Sequence, residues 1–302
     1  MRRSLLLLLP FALLVGCGGE DDVARTEEGL LRLGREEARA VTERTVRLDG
    51  RTLVLSADAG SVTVVGDPAA VEARLQFERV ARGATEASAA ERLERLTIEE
   101  AGDGEIYQYV VESAEVEGAR VHVEAVVPAN TPLVVQLDRG AVRLSGVTGE
   151  LQVENENGDV ELAGVAGERV RVTTRRGAIA AGFGTLPAGA DIRLETENGD
   201  LGLTLPATVD AAVRVTTDAG DIAVQGLAFA NRDLDETDAG MRFSGRLGRG
   251  SARIVAETGV GDVLLQQGEQ LELEGVEPFD EEVEAARPSP GAAGVGAEED
   301  AL

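Results

Sequence analysis

Hydrophobic and polar residues alternate with a period of two along much of the chain. Val46 and Leu48, for example, flank an arginine, and the same spacing recurs through later segments. Such alternation is typical of β-strands with one buried face. The segment 84–97 breaks the pattern and predicts a short helix, in which Ser88 and Glu91 have the spacing of a capping box.

The alternation becomes a repeat in residues 133–267. Aligned on a glycine, apolar residues recur two and four positions after it and five and seven positions before it. Successive glycines lie 18, 19, 22 and 21 residues apart, and the last step of 41 residues spans about two repeats. The aligned glycines are Gly140, Gly158, Gly177, Gly199, Gly220 and Gly261. Each unit is therefore a strand, a glycine turn and a second strand.

One unit is too small to fold by itself. It offers roughly four or five core side chains at about 1.5–3 kcal/mol each, whereas ordering its residues costs about 1–2 kcal/mol apiece. Stacked units share backbone hydrogen bonds and a continuous apolar core. The predicted fold is all-β, a β-solenoid with coils of about 18–22 residues and one short helix near 84–97.

Gly240 resembles a further repeat glycine but fails the register test. Asp235 and Asp233 stand five and seven positions before it, and Arg242 stands two positions after it. These charges would point into the core, so we interpret 226–250 as a long polar loop.

The N-terminal residues have the composition of a lipoprotein signal peptide. The apolar run is far shorter than the ~20 residues that span a bilayer. It ends at Leu14-Val15-Gly16-Cys17, which resembles the bacterial lipobox and implies cleavage before Cys17 and acylation of that residue. Gly18 replaces the aspartate that retains lipoproteins at the inner membrane of enteric bacteria, which favours the outer membrane.

These patterns divide the chain into four parts. A signal peptide (1–16) is followed by a tether (17–45), and the solenoid domain covers 46–267. Within that domain, 46–132 holds N-terminal strands and the helix, and 133–267 holds the repeats. A Glu-rich and then Pro/Gly/Ala-rich segment (268–302) is expected to be a disordered acidic tail.

Charge and composition exclude several classes of function. The 302 residues include 55 Asp and Glu but only 29 basic residues, all Arg, for a net charge of −26. Such a chain repels phosphate backbones, so a nucleic-acid partner is not expected. The single Cys and single His exclude an internal disulfide and a Cys/His zinc site.

The repeated turns resemble those of the bacterial putative-adhesin family of β-helix domains, a domain of unknown function. The resemblance covers roughly 45–267 and implies the solenoid fold, but it brings no catalytic residues. The turns that carry it are Asn157-Gly158-Asp159-Val160, Asn198-Gly199-Asp200-Leu201, Ala219-Gly220-Asp221-Ile222 and Gly261-Asp262-Val263.

The recurring turn aspartates allow two interpretations. Stacked carboxylates could bind Ca²⁺, or each aspartate could hydrogen-bond its own turn while the glycine adopts a positive φ. We favour the second, because the dense Gly-Gly-x-Gly-x-Asp repeat of calcium-binding β-rolls is missing. The residues are Asp159, Asp200, Asp221 and Asp262.

Two further features are a single histidine and a column of three charged side chains. His122 is expected on the polar face of its strand as an ordinary surface residue, since no nucleophile or orienting acid can be placed beside it. Glu156, Arg175 and Glu197 stand two positions before the repeat glycine in successive coils, ~4.8 Å apart in a parallel stack. They predict a charge ladder; the alternative is three exposed side chains that do not touch.

The sequence therefore favours a non-enzymatic, lipid-anchored β-solenoid of the bacterial cell envelope with a binding, adhesion-like or structural role. No catalytic residue, metal or cofactor is predicted. The expected contacts are the membrane, through acylated Cys17, and an unidentified envelope or surface partner. A carbohydrate-active β-helix enzyme and an envelope-stress sensor or regulatory domain remain open as alternatives.

Overall fold

The computed structural model describes residues 23–25, 31–33, 36–113, 116, 118–237 and 240–268. The predicted signal peptide, Cys17 and nearly all of the predicted tail lie outside these residues. The described chain is almost entirely β-structure with one helix, so the predicted all-β fold class is confirmed. None of the helical structure described is both long and apolar enough to cross a membrane.

The elements before the repeats form the first end of the molecule. They are β1 (Val23–Arg25), β2 (Leu31–Leu33), β3 (Glu36–Val46), β4 (Thr52–Asp67), β5 (Ala73–Gly83), α1 (Glu86–Arg95), β6 (Ile98–Gly102), β7 (Ile106–Val111) and β8 (Arg120–Pro128).

The remaining strands belong to the repeats and to the segment between β17 and β20. They are β9 (Leu133–Ser145), β10 (Leu151–Asn157), β11 (Val160–Val165), β12 (Arg169–Arg176), β13 (Ile179–Phe183), β14 (Asp191–Asn198), β15 (Leu201–Leu205), β16 (Ala211–Ala219), β17 (Ile222–Gln225), β18 (Ala230–Thr237), β19 (Gly240–Leu247), β20 (Ala252–Val260) and β21 (Val263–Gln267).

Strands β3 to β21 form two facing sheets, whereas β1 and β2 pair with each other in a separate antiparallel sheet. Sheet 1 has the order β6-β7-β4-β9-β10-β12-β14-β20-β16-β19-β18, and sheet 2 has the order β3-β5-β8-β4-β9-β11-β13-β15-β21-β17. The long strands β4 and β9 run through both sheets, with Gly60 and Gly140 at the junction. The alternating apolar residues of both sheets face each other and form one continuous core.

The coils do not stack in the order in which they occur along the chain. Strand β20 lies between β14 and β16 and is parallel to both, so that Ile254 pairs with Ile192 on one side and Val213 on the other. The coil of Gly261, which is the last of the six in the sequence, is therefore the fifth in the stack, and the coil of Gly220 is the sixth. The coil of β4, with Gly60 level with Gly140, also precedes the repeats that the sequence alignment includes.

The prediction that 226–250 is a polar loop is wrong. Residues of this segment form the hairpin β18–β19, and β19 pairs with β16 in antiparallel orientation. Phe243 and Leu247 of β19 are buried in the core. In a parallel coil, Arg242 would point into the core. Because β19 runs antiparallel to β16, Phe243 points into the core instead.

The predicted tether also contains regular structure. Its last residues belong to β3, which pairs along its whole length with β5 from Glu36–Gly83 to Val46–Ala73. The helix lies where it is predicted, but its N-cap is Thr85. Ser88 is the third helical residue, and its backbone N–H donates to Thr85 Oγ1 at 3.1 Å.

Candidate functional site

The repeat glycines form a column in which each backbone lies against the next. A Cβ atom on Gly158 would be 1.9 Å from the carbonyl oxygen of Gly140, and one on Gly177 would be 2.1 Å from that of Gly158. Real Cβ atoms do not approach that closely, so the neighbouring coil requires glycine at these turns. The column runs Gly60, Gly140, Gly158, Gly177, Gly199, Gly261 and Gly220.

Buried threonines three positions before the glycine stabilise this column. Thr196 Oγ1 donates to the carbonyl oxygen of Gly177 at 3.0 Å, one coil earlier. Thr258 Oγ1 donates in the same way to the carbonyl oxygen of Gly199, and Thr217 Oγ1 to that of Gly261, each at 2.9 Å and each in the neighbouring coil. These hydroxyls bind backbone carbonyl oxygens of the neighbouring coil, so the recurring threonines have a structural role in holding the coils together.

The turn aspartates link neighbouring coils. Asp159 Oδ1 accepts from the N–H of Ala178 at 2.9 Å, and Asp200 Oδ1 accepts from the N–H of Asp262 at 2.8 Å. Asp262 Oδ1 in turn accepts from the N–H of Asp221 at 2.9 Å. The prediction that each aspartate bonds its own turn is therefore wrong, because the acceptor serves the next coil. In the described chain no group of three or more His, Cys, Asp or Glu is placed to hold a metal ion.

The predicted charge ladder is present in part. Arg175 Nη2 lies 2.7 Å from Glu156 Oε2, but among the described residues no ion pair joins Arg175 to Glu197. The register extends this column through Asp138 and Asp58 on the other side of Glu156. Partial burial and the negative charges of Asp58 and Glu156 raise the pKa of Asp138. Arg175 therefore neutralises only Glu156, at one end of this column of acidic side chains.

His122 lies on the outer face of sheet 2, where the sequence predicts it, and has a partner that the sequence does not reveal. Ser61 Oγ is 2.7 Å from His122 Nδ1, and Glu78 stands opposite His122 on the next strand. No hydrogen bond joins His122 to a carboxylate in the described chain, so the ring lacks the orienting acid of a hydrolytic triad.

A cavity of 590 Å³ lies on the outer face of sheet 1, where β14, β20, β16 and β19 run side by side. We call it the arginine groove. Arg214, Arg246 and Arg253 line it together with Asn231 and Ser244. Its floor consists of the small or apolar residues Ala212, Gly245 and Val255.

The arginines of this groove have no acidic partners. Arg214, Arg246 and Arg253 are exposed and make no ion pair with any described residue. The one acid in the lining, Asp191, is 3.4 Å from Arg193 Nε and so is already paired. The groove is therefore positively charged in a chain whose net charge is −26.

One rim of the groove is held by Asp210. The N–H of Ser251 donates to Asp210 Oδ1 at 3.0 Å, and Ser251 Oγ donates to the carbonyl oxygen of Asp210 at 3.1 Å. These backbone N–H groups keep the pKa of Asp210 below its usual range. The loop between β19 and β20 is thus fixed to the start of β16, and the groove is formed before any ligand arrives.

The sequence contained a signal for this site. Arg171, Arg193 and Arg214 all stand six positions before their repeat glycine, which places them in one row across sheet 1. Arg253 and Arg246 could not be added from the alignment, because they reach the groove through the inserted coil and the antiparallel hairpin.

Two solved bacterial structures align with most of this chain. A crystal structure described as that of a putative cell adhesion protein from Clostridium sporogenes aligns with a TM-score of 0.47 and 13% identity, covering 76% of this chain and 100% of that chain. One of a putative adhesin from Bacteroides fragilis aligns with a TM-score of 0.39 and 13% identity, covering 76% and 97%. No curated protein sequence matches the chain. The Toastrack DUF4097 family model matches residues 91–266, more than half of the chain, and this protein therefore belongs to the Toastrack DUF4097 family.

Proposed function

We propose that this protein is a lipid-anchored, non-enzymatic binding protein of the bacterial cell envelope with an adhesion-like role. The observation that carries the proposal is the arginine groove, a preformed and positively charged recess on the outer face of a regular solenoid. A rigid array with a shaped, polar outer surface is suited to holding a partner. The Clostridium and Bacteroides structures are described as those of a putative cell adhesion protein and a putative adhesin, and the same kind of role is proposed for this chain.

Catalysis fits the groove less well than binding does. Glycoside hydrolysis uses two carboxyl groups on opposite sides of the scissile bond. The groove contains one carboxylate, Asp191, and its charge is engaged by Arg193. The Ser61–His122 pair lies on the other sheet and lines neither the arginine groove nor the 210 Å³ cavity beside Arg169 and Arg171.

The lipid anchor rests on the sequence Leu14-Val15-Gly16-Cys17. Diacylated or triacylated Cys17 would hold the solenoid at the membrane, since each buried CH₂ contributes about 0.8 kcal/mol and several chains act together. The tether between Cys17 and the first strands would then set the distance between the membrane and the solenoid. The outer membrane is the proposed location, because residue 18 is Gly and not Asp.

The anchor is tested by Cys17→Ser in the full chain expressed in a Gram-negative host. We expect loss of acylation, with the variant accumulating as uncleaved precursor or leaving the membrane fraction. Gly18→Ala is the matched control and should remain acylated and membrane-bound. Detergent-phase partitioning of Cys17→Ser equal to that of the wild type would refute the anchor.

A further inference from the structure

The arginine groove has the properties of a binding site for a ligand with several negative charges. Arg253 and Arg246 stand in one row of sheet 1, on strands separated only by β16. Their backbones are therefore about 10 Å apart, twice the spacing of neighbouring strands. With side chains as long as those of arginine, the two guanidinium groups can reach two anionic groups spaced along one extended molecule, and the same spacing lets them meet on a single anion.

The guanidinium groups are available for such a ligand. Arginine presents paired N–H donors that match the two oxygens of a carboxylate or a phosphate. Arg214, Arg246 and Arg253 have no ion pairs to break within the described structure. Asp191 stands opposite Arg253 in the register of β14 and β20, but its ion pair is with Arg193 at 3.4 Å. At physiological salt, charges more than about 8 Å away are strongly screened, and a bound ligand would feel the groove more than the distant acidic surface.

The rest of the lining suits a sugar. Asn231 and Ser244 offer amide and hydroxyl groups beside the arginines, and the floor of Ala212, Gly245 and Val255 leaves space above it. The 590 Å³ volume is within the range of sites for small organic ligands. Asn231 has a positive φ of 53° and lies at an irregularity in the β18–β19 pairing, so the rim here departs from the regular strand.

Other anionic partners fit less well. A membrane surface is flat, whereas the arginines line a recess, and the acidic chain as a whole is repelled by anionic headgroups. Single-stranded nucleic acid is usually bound by stacking on aromatic side chains. The groove lining contains no aromatic residue, so neither a base nor a sugar ring could stack there, and a sugar would be held by the arginines and the polar groups alone.

We propose that the arginine groove binds an acidic oligosaccharide, with Arg214, Arg246 and Arg253 contacting carboxylate or phosphate groups spaced along the sugar chain. This inference rests on the proposed binding function and names the chemical class of its ligand. Carboxylate and phosphate present the same paired oxygens to arginine, so the experiment below uses one probe of each kind.

The test is titration calorimetry of the full acylated chain in detergent micelles. The probes are trigalacturonate, a trisaccharide bearing two phosphate monoesters, and neutral maltotriose. We expect one or both acidic trisaccharides to bind and maltotriose not to bind. Arg253→Gln and Arg246→Gln should each weaken the binding about tenfold, the effect of losing one charge-assisted contact.

Arg242→Gln is the matched control, because Arg242 is exposed on the same strand as Arg246 but does not line the groove. Its affinity should equal that of the wild type. The inference is overturned if the acidic sugars bind no better than maltotriose, if Arg242→Gln weakens binding as much as Arg246→Gln, or if oligothymidylate or phosphatidylglycerol vesicles bind as tightly through the same arginines. Any of these results would overturn only the proposed ligand, because the lipid anchor is tested separately by Cys17→Ser.

Discussion

The middle of the solenoid and its two ends are built by different rules. In the middle, parallel coils superimpose residue on residue, and one pattern of glycine and apolar positions recurs in every coil, with a buried threonine before the glycine in the later ones. At the ends, antiparallel strands close the array: β3 and β5 at one end, and the β18–β19 hairpin at the other. The groove lies where the two kinds of structure meet, which indicates that the repeat supplies rigidity and the irregular end supplies the site.

The largest effect should come from the glycine column in the middle. In Gly177→Ala, the new Cβ would lie 2.1 Å from a neighbouring carbonyl oxygen at a φ of 146°. We expect a loss of about 3 kcal/mol or more in the free energy of unfolding, because strain and backbone displacement add. Denaturant unfolding measures this loss.

Gly202→Ala is the control for that variant. Gly202 lies in the neighbouring β15 and adopts no positive φ, and a Cβ added there would have no other atom within 4 Å. Alanine at this position should leave stability unchanged or raise it slightly. If both substitutions cost the same, the close contact between glycines would not explain the repeat.

A smaller effect is expected at the hairpin end. Phe243 is fully buried and packs edge-to-face on Phe229, with ring centroids 5.0 Å apart. Phe243→Ala should cost about 3 kcal/mol, the lower end of the range for a buried phenylalanine, because the loss stays within the hairpin. Hydrogen exchange should then show opening of β18 and β19 while the middle coils keep their protection.

Leu234→Ala tests whether that response is specific to the buried ring. Leu234 pairs with Phe243 across the hairpin but is 43% exposed. Its truncation should cost well under 1 kcal/mol. Loss of protection throughout the middle coils in Phe243→Ala would show that the end and the middle unfold as one unit.

The smallest effect concerns the first end and depends on pH. Arg39, Arg82 and Arg120 all contact the carboxylate of Glu37, at 2.8, 2.6 and 2.8 Å. Hydrogen bonds from Arg39 and then Arg82 lower the pKa of Glu37 from 4.5 to about 2. The folded state therefore binds this proton more weakly than the unfolded state, so the stabilisation is complete above pH 4.5 and is lost as the pH falls towards 2.

Melting temperatures of the wild type and Glu37→Gln should differ most near neutral pH and converge as the pH approaches 2. Glu99→Gln is the control, since Glu99 is exposed and makes no ion pair in the described chain. A constant difference between wild type and Glu37→Gln across this range would contradict the assigned pKa.

The middle of the molecule was far more predictable from sequence than the ends. The positions of Val160, Ile179 and Leu201 after their glycines fixed the inward faces, because a period of two leaves only one buried face. The order of the coils was not predictable. Strands β16 and β20 have similar patterns of apolar residues, so the sequence of each strand does not determine which of them pairs with β14.

The same limit applied to the candidate site. The aligned arginines Arg171, Arg193 and Arg214 were visible as a recurring position, but their meaning depended on which strands lie beside them. Only the inserted β20 and the antiparallel β19 bring Arg253 and Arg246 close to Arg214. A binding groove assembled from distant segments leaves no contiguous motif.

The inserted coil also constrains the time course of folding. During synthesis, β16 emerges before β20, yet its parallel neighbour in the finished array is β20. A nascent chain that pairs each new strand with the last completed coil would place β16 directly on β14, in a register that its apolar pattern tolerates. When β20 emerges, β16 must therefore still be unpaired with β14 or must leave it, and the array is completed only after β20 has docked between them.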